Sequence, residues 1–319
     1  MNNSELDQLF HEYANPVILR LQSNELLSTF PDYFNLFNNR INEIPAWQIA
    51  LPVISCLAVG GLLDAGYAVA PARCPAYLAS EILNNVEDKE FLPDRMVLSP
   101  EVAINLSTRL IYFAFHPLTS LPDPEKASRV VRIFSESGFE AAYGQNRDLY
   151  KTSVKVEETL NDYWETIMHK SGSVFRAATA GGAAAGTSDK TYIDALGDYG
   201  TALGVLLQLI DDCRDAFNQS QETINWEISL SLLLYLLALG EEDLRFPNAG
   251  SKAEWAELLR KMGVINAISS ILLEWKIRAL DSIKPLGDSK AKQILEHIPA
   301  LILERIPMSP IKVQNGSSS

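Results

Sequence analysis

The sequence predicts an all-α fold, and three observations carry that expectation. Apolar residues recur at helical spacing along nearly the whole chain. Strand-like alternation of Val, Ile and Thr is almost absent. Pro and Gly cut the pattern into helix-sized pieces with short connections, as in helix bundles.

Taken in order, helices are expected near 4–14, 16–29, 45–64, 75–89, 99–116, 124–150, 154–186, 189–217, 224–239, 251–262, 264–284 and 288–305. The punctuation is Pro31, Pro45, Pro71 with Pro75, Pro93, Pro100, Pro117 to Pro124, Pro247 to Gly250 and Pro285 to Gly287. No low-complexity linker or internal repeat interrupts the pattern. One all-α domain is expected over residues 1–308, followed by a polar, frayed tail over 309–319.

The 319 residues are 47% apolar and 21% charged, enough to build a large core and too apolar for intrinsic disorder. A net charge of −13 opposes general nucleic-acid binding, which needs a basic surface. It does not oppose a small anionic ligand, because a bound cation reverses the local sign. Cys56, Cys74 and Cys213 are odd in number and have no C-x-x-C spacing, so neither disulfides nor structural zinc is expected. A reducing, cytoplasmic location follows as the simpler reading. The segment Met1 to Asp7 has no basic and apolar leader pattern. Two apolar stretches, Trp47–Leu63 and Ile228–Leu239, read as buried bundle helices. The first is interrupted by Gln48, Pro52 and Gly60-Gly61, and the second is shorter than the ~20 residues a span requires. An integral membrane protein is not expected.

The sharpest local feature is Gln208-Leu209-Ile210-Asp211-Asp212-Cys213-Arg214-Asp215. On a helix Asp211 and Asp215 share a face, with Asp212 beside Asp215. Such like charges repel by a few tenths of a kcal/mol, and Arg214 is expected to point elsewhere. One reading is a solvated acidic helix end. The other is a site for a hard cation such as Mg²⁺, which takes one or two carboxylates and completes its shell with substrate phosphates. A second segment, Glu81 to Asp88, has the same geometry with Asn84 and Asn85 in the first two positions. Their carbonyl oxygens ligate a cation without adding charge. Read alone, this segment is equally a turn cluster before Pro93.

In these segments the chain resembles the polyprenyl synthetase family, the trans-prenyl branch of type I isoprenoid synthases. Met168-His169-Lys170-Ser171-Gly172-Ser173-Val174-Phe175 is similar to that family's K-T-G-x-L-F helix. Gly181 to Gly186, Tyr199-Gly200 and Leu203-Gly204 follow in the family's order. Gln208 to Asp215 matches the second aspartate-rich motif, and Asn84 to Asp88 falls where the first belongs. Gly144-Gln145 with Asp148 resembles the G-Q-x-x-D element.

The resemblance implies a type I isoprenoid synthase bundle around a central cavity, with two acidic helices facing each other across its mouth. It implies Mg²⁺ as cofactor and an allylic prenyl diphosphate as substrate, whose diphosphate leaves to give a carbocation. By the same carry-over, Asn84, Asp88, Asp211, Asp212 and Asp215 are candidate metal ligands, with Glu81 in support. Lys170, Gln208 and Arg95 are candidate diphosphate contacts, and Gln145 and Asp148 are candidates for the pocket wall. Residues before the first motif form the floor for the prenyl tail in this family. Here they include Ala76, Ala79 and Ser80, all small, which implies room for a farnesyl or longer tail. Pairing as a homodimer is also implied.

The departures are as informative. The basic G-G-K-R stretch that holds isopentenyl diphosphate in elongating members is replaced by Ile44-Pro45-Ala46-Trp47-Gln48. Glu227 stands where the family's later G-K-x-T-L-P element has Lys, and only Arg95 follows the first motif. Each missing charge-assisted contact is worth about 1.5–3 kcal/mol, so head-to-tail elongation is disfavoured. Transfer to a peptide or small-molecule acceptor is the leading expectation. Ser80-Glu81-Ile82-Leu83, Val86-Glu87-Asp88, Gly263-Val264 and Ile271-Leu272-Leu273-Glu274 resemble ComQ-type isoprenyl transferases. Class I terpene cyclisation and a non-catalytic partner subunit of a prenyl diphosphate synthase are the alternatives. The Gly181 to Gly186 run lacks the Lys of a phosphate-binding loop and reads as close helix packing. The four His residues have no zinc spacing.

Overall fold

The computed structural model describes residues 1–88, 99–154, 160–217 and 264–304. The expected helices over 224–239 and 251–262, and the tail from 309, lie outside them. Among the described residues the regular structure is helical throughout: α1 Asn3–Gln22, α2 Glu25–Ser28, α3 Pro31–Ile41, α4 Ala46–Ala58, α5 Leu63–Glu87, α6 Pro100–Phe115, α7 Pro124–Val154, α8 Leu160–Ile167, α9 Ser173–Gly186, α10 Lys190–Phe217, α11 Val264–Ser282 and α12 Lys290–Leu303. A 3₁₀ turn, Pro117–Ser120, precedes α7, and a π-helical turn, Met168–Gly172, joins α8 to α9.

Local chemistry explains the ends. Asn2 and Glu5 form a reciprocal capping box on α1. The Ser289 hydroxyl accepts the Lys292 N–H at the start of α12. After α4 the Gly60 N–H reaches Leu57 O at 3.0 Å and the Gly61 N–H reaches Cys56 O at 2.9 Å. That is a Schellman closure, and it requires the positive φ of 79° at Gly60.

Pro residues mark fewer breaks than the sequence pattern suggests. Pro16 lies inside α1, and Pro71 and Pro75 lie inside α5, where separate helices were expected. Pro71 cannot hydrogen-bond the carbonyl four residues back. The freed Tyr67 oxygen instead accepts from Arg20 Nη1 at 2.9 Å, and the guanidinium lies 5.1 Å from the Tyr67 ring centroid. A tertiary contact therefore supplies what the helix lacks. Helix α3 was not expected at all. It starts with Pro31 at its first turn, a position where the missing N–H costs nothing.

The core is centred on α4, which is apolar on every side and buried along its length, as an interior helix must be. Helix α9 packs on it through glycines: a Cβ on Gly182 would sit 2.2 Å from Pro52 O. The glycine run is thus a packing surface. Helices α9 and α10 lie side by side, and α11 and α12 complete this first apolar cluster. A second cluster joins α1, α3, α5 and α6 through Phe37, Leu78, Ala79, Leu106 and Leu110. Cys56, Cys74 and Cys213 are free and buried. Among the described residues one helix, Lys190–Arg214, is long and apolar enough to cross a membrane, and 72% of its most apolar window is buried inside the molecule.

Candidate active site

The K-T-G-like segment is not a continuous helix. Met168–Gly172 winds as a π-helical turn, a distortion found chiefly at functional sites. Glycines on both flanking helices make room for it. A Cβ on Gly144 of α7 would lie 2.3 Å from the Lys170 backbone N, and one on Gly204 of α10 would lie 2.3 Å from Ser171 O. Helices α7 and α10 therefore grip the backbone that carries Lys170. The sequence shows these glycines but not the turn they clamp.

Lys170 gathers carboxylates from three helices. Its Nζ donates to Asp148 Oδ2 of α7 at 2.7 Å. Burial pulls the lysine pKa down, but Asp148 first, and then Asp88 and Asp212, outweigh it and raise it overall. Asp88, at the end of α5, accepts from Gln145 Nε2 at 3.2 Å. Its carboxyl is held above the ordinary value by desolvation, with Lys170 opposing and Asp148 adding to the rise. Asp212 accepts from Tyr163 OH at 2.6 Å and from Gln208 Nε2 at 2.8 Å. Desolvation pushes it up to about 7, against those two hydrogen bonds. Part of Asp212 reaches the surface, yet its carboxyl is wrapped by Tyr163, Gln208 and the Lys170–Asp148 pair. Ser171 Oγ donates in turn to Gln208 Oε1.

The candidates from both acidic segments thus meet around one lysine: Asp88, Gln145, Asp148, Lys170, Gln208 and Asp212. Asp211 lies on the exposed edge and is bound by Arg214 Nη1 at 2.9 Å, which corrects the expectation that Arg214 points away. Its charge nevertheless acts on Tyr77 of α5, so α5 and α10 face each other here. Asn84 is partly buried one turn before Asp88. Glu81 falls outside the Lys170 group: it accepts from Tyr77 OH and lies 3.8 Å from Arg40 Nη2. Asp215 belongs to α10, and its side chain, like all of Arg95 and Glu227, lies outside the described residues. The Tyr163 hydrogen bond to Asp212 had no sequence signal beyond the Tyr163-Trp164 pair on α8.

Ala79 is buried at 1% exposure on the face of α5 turned to α6, and Ser80 Oγ donates back to Ala76 O at 2.9 Å. An apolar hollow of about 500 Å³ opens beyond that packing, between α2, α3 and α6, lined by Leu106, Leu110, Phe37 and Phe113.

Asp88, Asp148, Asp211 and Asp212 are hard oxygen donors of the kind that suits Mg²⁺. Among the described residues no three acidic, His or Cys side chains converge closely enough to cage an ion alone. An ion completed by phosphate oxygens requires no such cage. The donor set fits an ion that arrives with a phosphorylated ligand.

Known proteins resemble this chain in sequence and in fold. The polyprenyl synthetase family profile matches residues 96–226. The short chain isoprenyl diphosphate synthase of Methanothermobacter thermautotrophicus is 24% identical over 278 residues, covering 80% of this chain and 85% of that protein. Geranylgeranyl pyrophosphate synthetase from Pyrococcus horikoshii superposes with a TM-score of 0.79 at 23% identity, covering 94% of this chain and 98% of that one. A polyprenyl synthase from Caulobacter crescentus, solved with calcium and isoprenyl diphosphate, superposes with a TM-score of 0.77 at 17% identity, covering 95% and 96%. Residues 96–226 match the polyprenyl synthetase family model, and the described residues share the all-α fold of solved polyprenyl synthases.

Proposed function

We propose that the chain is a Mg²⁺-dependent prenyltransferase that ionises an allylic prenyl diphosphate and passes the prenyl group to an acceptor. The observation that carries this reading is the convergence of Asp88, Asp148 and Asp212, from three separate helices, on Lys170. Bound between the two acidic segments, Mg²⁺ would take up the charge that builds on the departing diphosphate. The chain's own residues prepare that event. Lys170 offers a fixed positive charge to the leaving group once Asp148 shares it. Gln145 holds Asp88 by one oxygen and so aims the other, while Gln208 and Tyr163 fix Asp212 through one oxygen each. The π turn keeps Lys170 from drifting, because Gly144 and Gly204 leave its backbone no slack. A tail of farnesyl length or longer is accommodated beside Ala79.

Incubation with farnesyl diphosphate and Mg²⁺ tests the reading. Diphosphate release that stops on chelation, and falls about 10²–10³-fold in Lys170→Met, is expected. No release from any allylic diphosphate would overturn it.

Chain elongation is the second reading, favoured by the relatives, whose names are those of prenyl diphosphate synthases. A longer diphosphate as product identifies it. Product only with an added acceptor identifies transfer, a cyclic hydrocarbon or alcohol identifies cyclisation, and activity only beside a second chain identifies a partner subunit. Ile104 and Ile111 of α6 and Phe139 of α7 expose 46%, 42% and 78% of their surface. They are the face through which two copies of the chain would pair, a homodimer that sedimentation tests.

A further inference from the structure

The buried middle of α5 carries a charge that the Lys170 group does not use. Arg73 is 3% exposed. Buried charges are paired or hydrogen-bonded, because stripping water from an ion costs several kcal/mol. Among the described residues Arg73 forms no ion pair, and the charge of Glu81 reaches it only from beyond Tyr77. Its Nη2 donates to Gln48 Oε1 at 3.4 Å, while Nε and Nη1 are buried with no hydrogen-bond partner among those residues. The guanidinium lies 4.7 Å from the Tyr77 ring centroid and 5.0 Å from that of Phe175. Phe175 stacks on Trp47 at 5.9 Å, and Trp47 Nε1 is a further buried donor with no partner. One positive charge and three unanswered donors therefore sit among three aromatic rings. The rings return cation–π attraction, but they accept no strong hydrogen bond.

The position is informative. Arg73, Tyr77, Glu81, Asn84 and Asp88 follow one another at helical spacing on a single face of α5. Arg73 is thus the deep end of the face whose outer end is the first acidic motif. At 1.5 Å per residue the rise from Arg73 to Asn84 is roughly 17 Å, enough for a diphosphate, a reacting carbon and one aromatic ring in line. Tyr77 closes the guanidinium from the outer side and is held by Glu81, whose side chain is 37% exposed.

We propose that Arg73, with Trp47 Nε1 and Gln48, is the anchor for the acceptor substrate, and that the acceptor is a planar, aromatic carboxylate. The inference rests on the prenyltransferase reading and names its second substrate. The charge decides the class. One uncompensated guanidinium balances one carboxylate, whereas a diphosphate would set about three negative charges against it. The other cation nearby, Arg40, is already committed to Glu43 at 2.8 Å and Glu81 at 3.8 Å. The flat faces of Tyr77, Phe175 and Trp47 suit a ring.

Benzoate, benzyl alcohol and isopentenyl diphosphate, each titrated alone into the full chain and followed by calorimetry, test this. Benzoate is expected to bind saturably and at least tenfold more tightly than benzyl alcohol. Arg73→Met should lose at least tenfold of that affinity and keep its fold, since an apolar isostere of a buried charge is tolerated. Trp47→Phe, which keeps the ring and deletes the N–H, should lose a few fold. Failure of benzoate to bind, equal binding by Arg73→Met, or isopentenyl diphosphate binding more tightly than benzoate would each overturn the proposal. Failure of the prenyltransferase reading shows separately, as wild-type chain that releases no diphosphate from farnesyl diphosphate.

Discussion

Replacing Gly144 by Ala isolates the clamp on the π turn. In a helix, Gly to Ala normally stabilises by about 1 kcal/mol. At Gly144 the added methyl would meet the Lys170 backbone N at 2.3 Å and His169 C at 2.8 Å. Those atoms are main chain and cannot swing aside, so α7 or the turn must move, at an overpacking cost of about 1–3 kcal/mol or more. Gly138 of the same helix is the internal control, because a Cβ there meets nothing within 4 Å. Gly138→Ala should therefore gain about 0.5–1 kcal/mol and Gly144→Ala should lose, leaving the two at least about 1 kcal/mol apart in urea melts. Diphosphate release should fall in Gly144→Ala and hold in Gly138→Ala, since a displacement near 1 Å at a catalytic group costs about 10²-fold. If Gly144→Ala proved as stable and as active as Gly138→Ala, the clamp would not exist and Lys170 would be positioned by something else.

Other substitutions probe other links. Arg20→Met should cost about 1–3 kcal/mol by stranding the Tyr67 carbonyl. In a Pro71→Ala background, where a helical N–H reaches that oxygen, the cost should shrink, and equal costs in both backgrounds would refute the explanation of Pro71. Asp212 keeps its proton to about 7 in the folded chain against 3.8 for the ordinary carboxyl. The folded state then binds more protons than the unfolded state within that window, so wild-type stability relative to Asp212→Asn should fall as pH rises from about 4 to about 7. A difference in Tm that stays flat with pH would show that Asp212 is not desolvated. Ala79→Phe should shorten the preferred prenyl diphosphate, and an unchanged length preference would remove Ala79 from the tail pocket.

Much of this architecture was legible because helical periodicity and the aspartate motifs are local signals. Helices α6, α7 and α10 start and stop close to where the pattern places them, since Pro100 and Pro117 to Pro124 act within a turn or two, whereas the single helix expected over 154–186 is divided into α8, the π turn and α9. Pro71 misled because the Tyr67 carbonyl it frees is taken up by Arg20, forty-seven residues before Tyr67 in sequence. The π turn misled for the same reason, as it exists only between Gly144 and Gly204 of two other helices. At the site, residue types announced Asp88, Asp211 and Asp212. They did not announce that Lys170 would pair with Asp148, that Tyr163 would hold Asp212, or that Glu81 would face Arg40. Those pairings depend on which helix faces lie opposite each other, a property of packing. Arg73 is the sharpest case. The sequence shows no basic residue over 44–48, and the structure brings one to Gln48 from the next helix.

The central claim is that the two acidic segments act together on one ligand. Calorimetric titration of Mg²⁺ with inorganic diphosphate tests it most directly. The account predicts that each component binds appreciably only in the presence of the other, and that Asp88→Asn and Asp211→Asn each abolish this mutual dependence. Independent binding of the two, or its survival when either segment is neutralised, would contradict it.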